Sequence, residues 1–287
     1  MRKSNYADLH LHTTASDGSD SPTVLTERAR SLGIQLISIT DHDTLAGLRE
    51  ALAIDDCGIK ILTGIEFSCC VSGEDGFECH ILGYGFDPDS DAVKRAVMHG
   101  REMRLLKLEK RLEYLKDNFD IEFSRDEVLE LHSYNSVAKP HLARLIIKHG
   151  LAHSVADAID KYLKGAKFPD DRIDASEAIE AIRVAGGIAV YAHPLGGERE
   201  RRLEINEIIP RVEHLVKLGL GGLECYYSRY SRAESLALRS LADSLGLCAS
   251  AGSDYHGENK TVPLGLLSAD GDTVDKESIT LLTALGI

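Results

Sequence analysis

Asp8-Leu9-His10-Leu11-His12 constrains this chain more than any other stretch. It lies in a short run, Tyr6 to Leu11, whose apolar positions alternate as they do in a β-strand. Strand side chains repeat every second residue, so His10 and His12 face the same way. Two imidazoles side by side on a rigid strand make a poor core and a good half of a metal site. A solvent-facing strand accommodates the same pair, and the remainder of the chain decides between the two.

The chain has 287 residues, room for one large barrel or for one domain with an insertion. An apolar content of 43% supplies a sizeable core. No apolar run approaches the roughly 18 residues of a membrane span, and no apolar segment follows Met1 to Asn5. No membrane and no secretory signal are therefore expected. The six cysteines form no C-x-x-C pair and read as reduced thiols of a cytoplasmic protein. The formal net charge of −13 argues against a generic nucleic-acid coat protein but leaves room for a small anion in a local positive pocket. No protein partner is implied.

Taken in order, the chain alternates strands with helices, which implies a parallel sheet. Ser21-Pro22 opens a helix that Gly33 closes. Leu36 to Thr40 reads as a strand emptying into Asp41-His42-Asp43. Lys60 to Phe67 reads as one strand ending at Glu66. Phe77 to Phe86 reads as another, carrying His80 and close enough in sequence to allow a hairpin-like excursion. Residues 90–171 carry helical signals only, including a capping box at Ser124 to Glu127, and read as an all-helical insertion. Alternation resumes with strands ending at His193 and at Asp254-Tyr255-His256. The expected architecture is a closed or nearly closed α/β barrel of about seven strands, formed by residues 1–89 and 172–287. No G-x-G-x-x-G or P-loop follows a strand.

The metal-type residues then fall under one rule. His10, His12, Asp17, His42, Glu66, His80, His193, Asp254 and His256 all lie at or near a strand's C-terminal end, where parallel barrels build active sites. His99, His132, His149, His153 and His214 fall elsewhere and read as surface or structural. Nine ligands exceed the needs of one ion and suffice for two or three. Their mix of imidazole and carboxylate suits manganese, iron or zinc and does not suit calcium.

These motifs, with Gly64-Ile65-Glu66, Ala192-His193-Pro194 and Gly252-Ser253-Asp254-Tyr255-His256, resemble in order those of the PHP (polymerase and histidinol phosphatase) family. The helical block resembles the insertion of its stand-alone phosphoesterases. The resemblance implies a distorted (β/α)7 TIM-like barrel and a trinuclear metal centre. It implies a first ion held by His10, His12, Glu66 and Asp254. Glu66 would bridge to a second, held also by His80 and His193, and Asp17, His42 and His256 would hold a third. Many members carry a histidine where this chain has Asp17, and the nucleotide-phosphatase branch carries aspartate. Asp41 and Asp43 are expected to orient imidazoles, and Asp8 either to do the same or to be structural.

The implied reaction is hydrolysis of the 3′-phosphate of a nucleoside 3′,5′-bisphosphate by a metal-activated hydroxide, with no serine or cysteine nucleophile. Phosphate and a nucleoside 5′-monophosphate would leave. A 5′→3′ exonuclease on short RNA or DNA is the first alternative, and histidinol phosphate phosphatase a more distant one. A degenerate accessory module would lack ligands, and here none is missing. Cations for the substrate are expected from the helical block: Arg101, with Arg104 on the same face, and Lys139, His141 and Arg144 near a helix N-terminus. Arg199, Arg201 and Arg202 lie on a loop after His193, and Tyr226, Tyr227 and Tyr230 follow a strand as candidates for stacking on a base.

Overall fold

The computed structural model describes residues 5–54, 58–73, 76–166, 168, 172–198 and 200–287. Cys57, Arg199 and the expected end of the helical block at Asp171 lie outside these. Nine strands form two sheets among the described residues. The first holds β1 (Ala7–Leu11), β2 (Leu36–Ile39) and β3 (Lys60–Leu62), all parallel. The second holds β4 (Gly64–Val71), β5 (Phe77–Tyr84), β6 (Ile173–Asp174), β7 (Ile188–Tyr191), β8 (Gly222–Tyr227) and β9 (Cys248–Gly252), in the order β6-β4-β5-β7-β8-β9.

The α/β strands do not close into one barrel among the described residues, while the hairpin-like excursion expected after Glu66 does form. β5 runs antiparallel to both β4 and β7. The two sheets meet through isolated bridges, Leu11 with Tyr255 at one seam and His42 with Glu66 at the other. The strand expected over Lys60 to Phe67 breaks at Thr63, with β3 joining the first sheet and β4 the second. Gly64 permits the break, because a Cβ there would lie 2.0 Å from Ser38 Oγ on β2. Glu66 therefore stands near the start of a strand, not at its end.

Helices α1 (Pro22–Ser31) and α2 (Ala46–Leu52) cover the first sheet, and α7 (Ala175–Val184), α8 (Ile205–Lys217), α9 (Arg232–Ser244) and α10 (Thr280–Ala284) the second. Between β5 and β6 run α3 (Asp91–Phe119), α4 (Arg125–Ser133), α5 (Lys139–Lys148) and α6 (Val155–Ala158), the last continued by a π-helical turn over Ile159–Leu163. The capping box at Ser124 and Glu127 is present. This block has an apolar cluster of its own, with Leu108, Leu115, Leu131, Leu142, Ile146 and Leu163. Val93 and Ala96 at the start of α3 pack into the sheet core instead. Among the described residues no helix is long and apolar enough to cross a membrane.

Candidate metal centre

Glu66 is the hub. It is fully buried, and five imidazoles surround its two oxygens. Oε2 lies 3.2 Å from His10 Nε2, 3.1 Å from His12 Nε2 and 3.1 Å from His42 Nδ1. Oε1 lies 3.0 Å from His80 Nδ1 and 3.3 Å from His193 Nε2. Asp254 Oδ1 approaches His10 and His12 Nε2 at 3.6 and 3.4 Å. Asp17 Oδ1 stands 3.2 Å from His256 Nε2, 3.8 Å from His12 Nδ1 and 3.9 Å from His42 Nε2. All nine expected ligands thus converge on one spot, seven of them buried and Asp17 and His80 partly so.

These separations are those of atoms sharing cations. Two donors each about 2.1 Å from an ion at a tetrahedral angle stand about 3.4 Å apart. Hydrogen bonds account for only part of the arrangement, such as His80 Nδ1 with Glu66 Oε1. His10 Nε2, both ring nitrogens of His12, His42 Nδ1, Glu66 Oε2 and His256 Nε2 are buried without a hydrogen-bond partner. Such groups are costly in a folded protein unless something satisfies them. The carboxylates are charged and ready to bind. Burial pushes Glu66, Asp17 and Asp254 up, but their cationic surroundings more than offset it and hold all three well below the usual range. For Asp254 the strongest of these is Lys260, whose Nζ donates to Oδ2 at 2.6 Å. The residues therefore fit two or three divalent ions.

Backbone strain collects here too. Asp43, His193 and Asp254 adopt φ of 51°, 29° and 59°, the left-handed region that non-glycine residues rarely visit. Buried carboxylates hold the loops that carry these residues. Asp41 accepts from the Thr13 backbone N–H and hydroxyl, both at 2.7 Å, and from Ser16 Oγ. Asp8 accepts from the Ser253 and Gly265 N–H groups. Asp43 accepts from the Ser68 N–H and from Arg104 Nε. None of these bonds goes to an imidazole, so the expected role of Asp41 and Asp43 is corrected, and of the two parts open to Asp8 the structural one fits: all three fix main chain between ligands. A carboxylate outside the expected ligands that is bonded to an imidazole of the centre is Glu224, which accepts from His10 Nδ1 at 2.8 Å. Sequence reasoning passed over it, although a glutamate flanked by Leu223 and Cys225 in an apolar strand was a signal.

The expected substrate groups divide. His141 is buried beside Tyr134, ring centroids 4.1 Å apart, and its Nδ1 accepts from the Ala138 N–H. Burial pushes it down to about 4, with Asp17 opposing. Arg144 donates to Asn259 Oδ1, and Asn259 Nδ2 donates to the Asp17 carbonyl, which ties α5 to the centre. Lys139, the first residue of α5, is half-buried. Arg101 is exposed and donates to the His132 carbonyl within the helical block. Arg104 is committed to Asp43 and Ser68. Tyr227 and Tyr230 are fully buried, with their hydroxyls bonded to Asp254 and the Leu195 N–H, so neither is available to stack on a base. Arg172, which the sequence reading did not single out, donates to His80 Nε2 at 3.2 Å. It lines a cavity of about 370 Å³ with Tyr191, His193, Glu200 and Arg211 on the His80 side of the centre.

Comparison with known proteins agrees with this geometry. The PHP domain model matches residues 8–173. A 5′-3′ exoribonuclease of Haemophilus influenzae is 32% identical over 87% of this chain and 89% of its own. A phosphoribosyl 1,2-cyclic phosphate 1,2-diphosphodiesterase of Eggerthella lenta is 31% identical over 89% and 96%. A 3′,5′-nucleoside bisphosphate phosphatase of Chromobacterium violaceum is 30% identical over 87% and 86%. Among solved structures, a chain from Bifidobacterium adolescentis assigned to the metal-dependent phosphoesterases superposes with a TM-score of 0.80 at 29% identity, over 98% of this chain and 96% of that one.

Proposed function

This chain belongs to the PHP family of metal-dependent phosphoesterases, and on that premise we propose that it removes the 3′-phosphate from nucleoside 3′,5′-bisphosphates. The observation that carries the metal-dependent chemistry is the set of buried, unpartnered donor atoms around Glu66, and the choice of substrate follows the likeness to a 3′,5′-nucleoside bisphosphate phosphatase and the basic residues beside Asp17. His10, His12, Glu66 and Asp254 would hold one divalent ion, Glu66 with His80 and His193 a second, and Asp17, His42 and His256 a third. Manganese, iron and zinc all accept this donor set. Such ions supply Lewis acidity toward phosphoryl oxygens and acidify water near neutral pH.

The chain's own side chains do the rest. Asp41, Asp8 and Asp43 keep the ligand loops in register, so the donors are in place before substrate arrives. Arg144, His141 and Lys139 lie on the Asp17 side and receive the substrate's second phosphate, assisted by the N-terminus of α5. Arg101 stands outside that set. One local cluster suffices for a mononucleotide in a protein of net charge −13, whereas a long strand gains from an extended basic track.

The cavity on the His80 side favours a second reading, 5′→3′ trimming of short RNA. It offers room for a further nucleotide next to Arg172 and Arg211. Phosphate release and product analysis with manganese-loaded protein separate the two. The panel is adenosine 3′,5′-bisphosphate, AMP, histidinol phosphate, a phosphoribosyl cyclic phosphate and a 5′-phosphorylated short RNA. Rapid conversion of the bisphosphate alone to 5′-AMP is the expected outcome. Comparable release of mononucleotides from RNA makes the chain a nuclease, and turnover of only one of the other substrates sinks both readings.

A further inference from the structure

Glu224 lies in the middle of β8 with no exposure to solvent. Its two oxygens are spent on two different strands. Oε1 accepts from His10 Nδ1 at 2.8 Å, and Oε2 accepts from the His193 backbone N–H at 2.7 Å. Each bond has its own consequence. An imidazole that donates from Nδ1 keeps a lone pair on Nε2, and His10 Nε2 is the atom facing Glu66 Oε2. The opposite tautomer would point an N–H there and hold no cation. His193 is in the left-handed region at φ 29°, which a non-glycine residue keeps only when its surroundings impose it. The bond from its N–H to a buried carboxylate helps to impose it, and the resulting turn aims His193 Nε2 at Glu66 Oε1.

We propose that Glu224 is a positioning residue for the metal centre, setting the tautomer of His10 and the backbone of His193 with one carboxylate, so that the first and second ions bind as a pair. The inference rests on the metal-centre reading above. A carboxylate serving only to fill the core would leave ion binding untouched once the chain is folded.

Glu224→Gln tests it. Glutamine keeps the shape and an oxygen for the His193 N–H, but sets an amide donor against His10 Nδ1. The measurement is manganese bound per chain by equilibrium dialysis and elemental analysis, with the melting temperature of the EDTA-treated protein as the control for folding. The expected result is an apo melting temperature like that of the wild type and manganese affinity about 10–100-fold weaker, with two ions lost together. Wild-type affinity and stoichiometry in Glu224→Gln overturn the inference. Should that variant not fold, the wild type still decides. In zinc-loaded, ¹⁵N-histidine-labelled protein, His10 is expected protonated on Nδ1, and protonation on Nε2 overturns the inference. A wild-type protein that binds no divalent ion removes the metal-centre reading itself, an outcome distinct from either.

Discussion

At the scale of single residues, the centre leaves almost no slack. Glu66→Ala removes the one carboxylate that reaches five imidazoles. Outer partners of metal sites typically cost about 10–100-fold, so loss of this carboxylate is expected to cost more than about a hundredfold in kcat, with fewer ions per chain by elemental analysis. Gly252→Ala is a subtler probe. A Cβ there would lie 2.1 Å from His10 Cβ and 2.9 Å from Glu224 Oε1, where the end of β9 runs alongside β1. Overpacking of this kind costs about 1–3 kcal/mol. The melting temperature and the manganese content should therefore fall together. A variant that lost stability but kept its ions would show that His10 can move without consequence. Most of the nine converging side chains were legible in the sequence because strand ends collected them, whereas Glu66 stands near the start of β4 and His80 inside β5. Glu224 and Lys260 were not legible, because neither belongs to a pattern that points to metal: one is mid-strand, the other is a cation.

Elements add what residues do not show. The wrong expectation was a parallel strand ending at Glu66. That strand breaks at Thr63 instead, whereas the expected hairpin-like excursion forms: the link between Val71 and Phe77 is too short for the crossover a parallel pair needs, so β5 returns antiparallel to β4. That hairpin brings His80 opposite Ser68 and places its ring against Glu66. Helix starts were easier to read, since Ser21, Ser124, Asp174 and Ser231 each cap with a side-chain bond. α5 carries a pH dependence. His141 is pushed down to about 4 by burial, whereas an unfolded histidine titrates near 6.5. A depressed folded value means that the unfolded chain takes the proton first. The contribution of neutral His141 is then present above pH about 6.5 and is lost as pH falls toward 4, with a span of about 3 kcal/mol. Urea unfolding of the wild type and of His141→Gln from pH 7.5 to 4.5 checks it: only the wild type should carry this slope, and parallel curves would rule out a buried, titrating His141.

For the whole molecule, the question is what the ions do for the fold. The chain carries a formal charge of −13 and gathers three carboxylates at its centre, Glu66 and Asp254 buried and Asp17 partly so. An ion that binds the folded state alone stabilises it by mass action, about 2.7 kcal/mol when its concentration is a hundred times its dissociation constant. For a chain of this size each kcal/mol is worth about 2–4 °C. EDTA is therefore expected to lower the melting temperature by about 5 °C or more relative to manganese-saturated protein, and by much less in Glu66→Ala. The difference should also shrink as pH falls, because the imidazoles must be neutral to bind and protons compete for them. That pH dependence separates specific ligation from general screening of the negative surface, which added salt would reproduce. Identical melting curves with EDTA and manganese at pH 7.5 would mean that the nine side chains converge without holding ions, and the proposed chemistry would have no site.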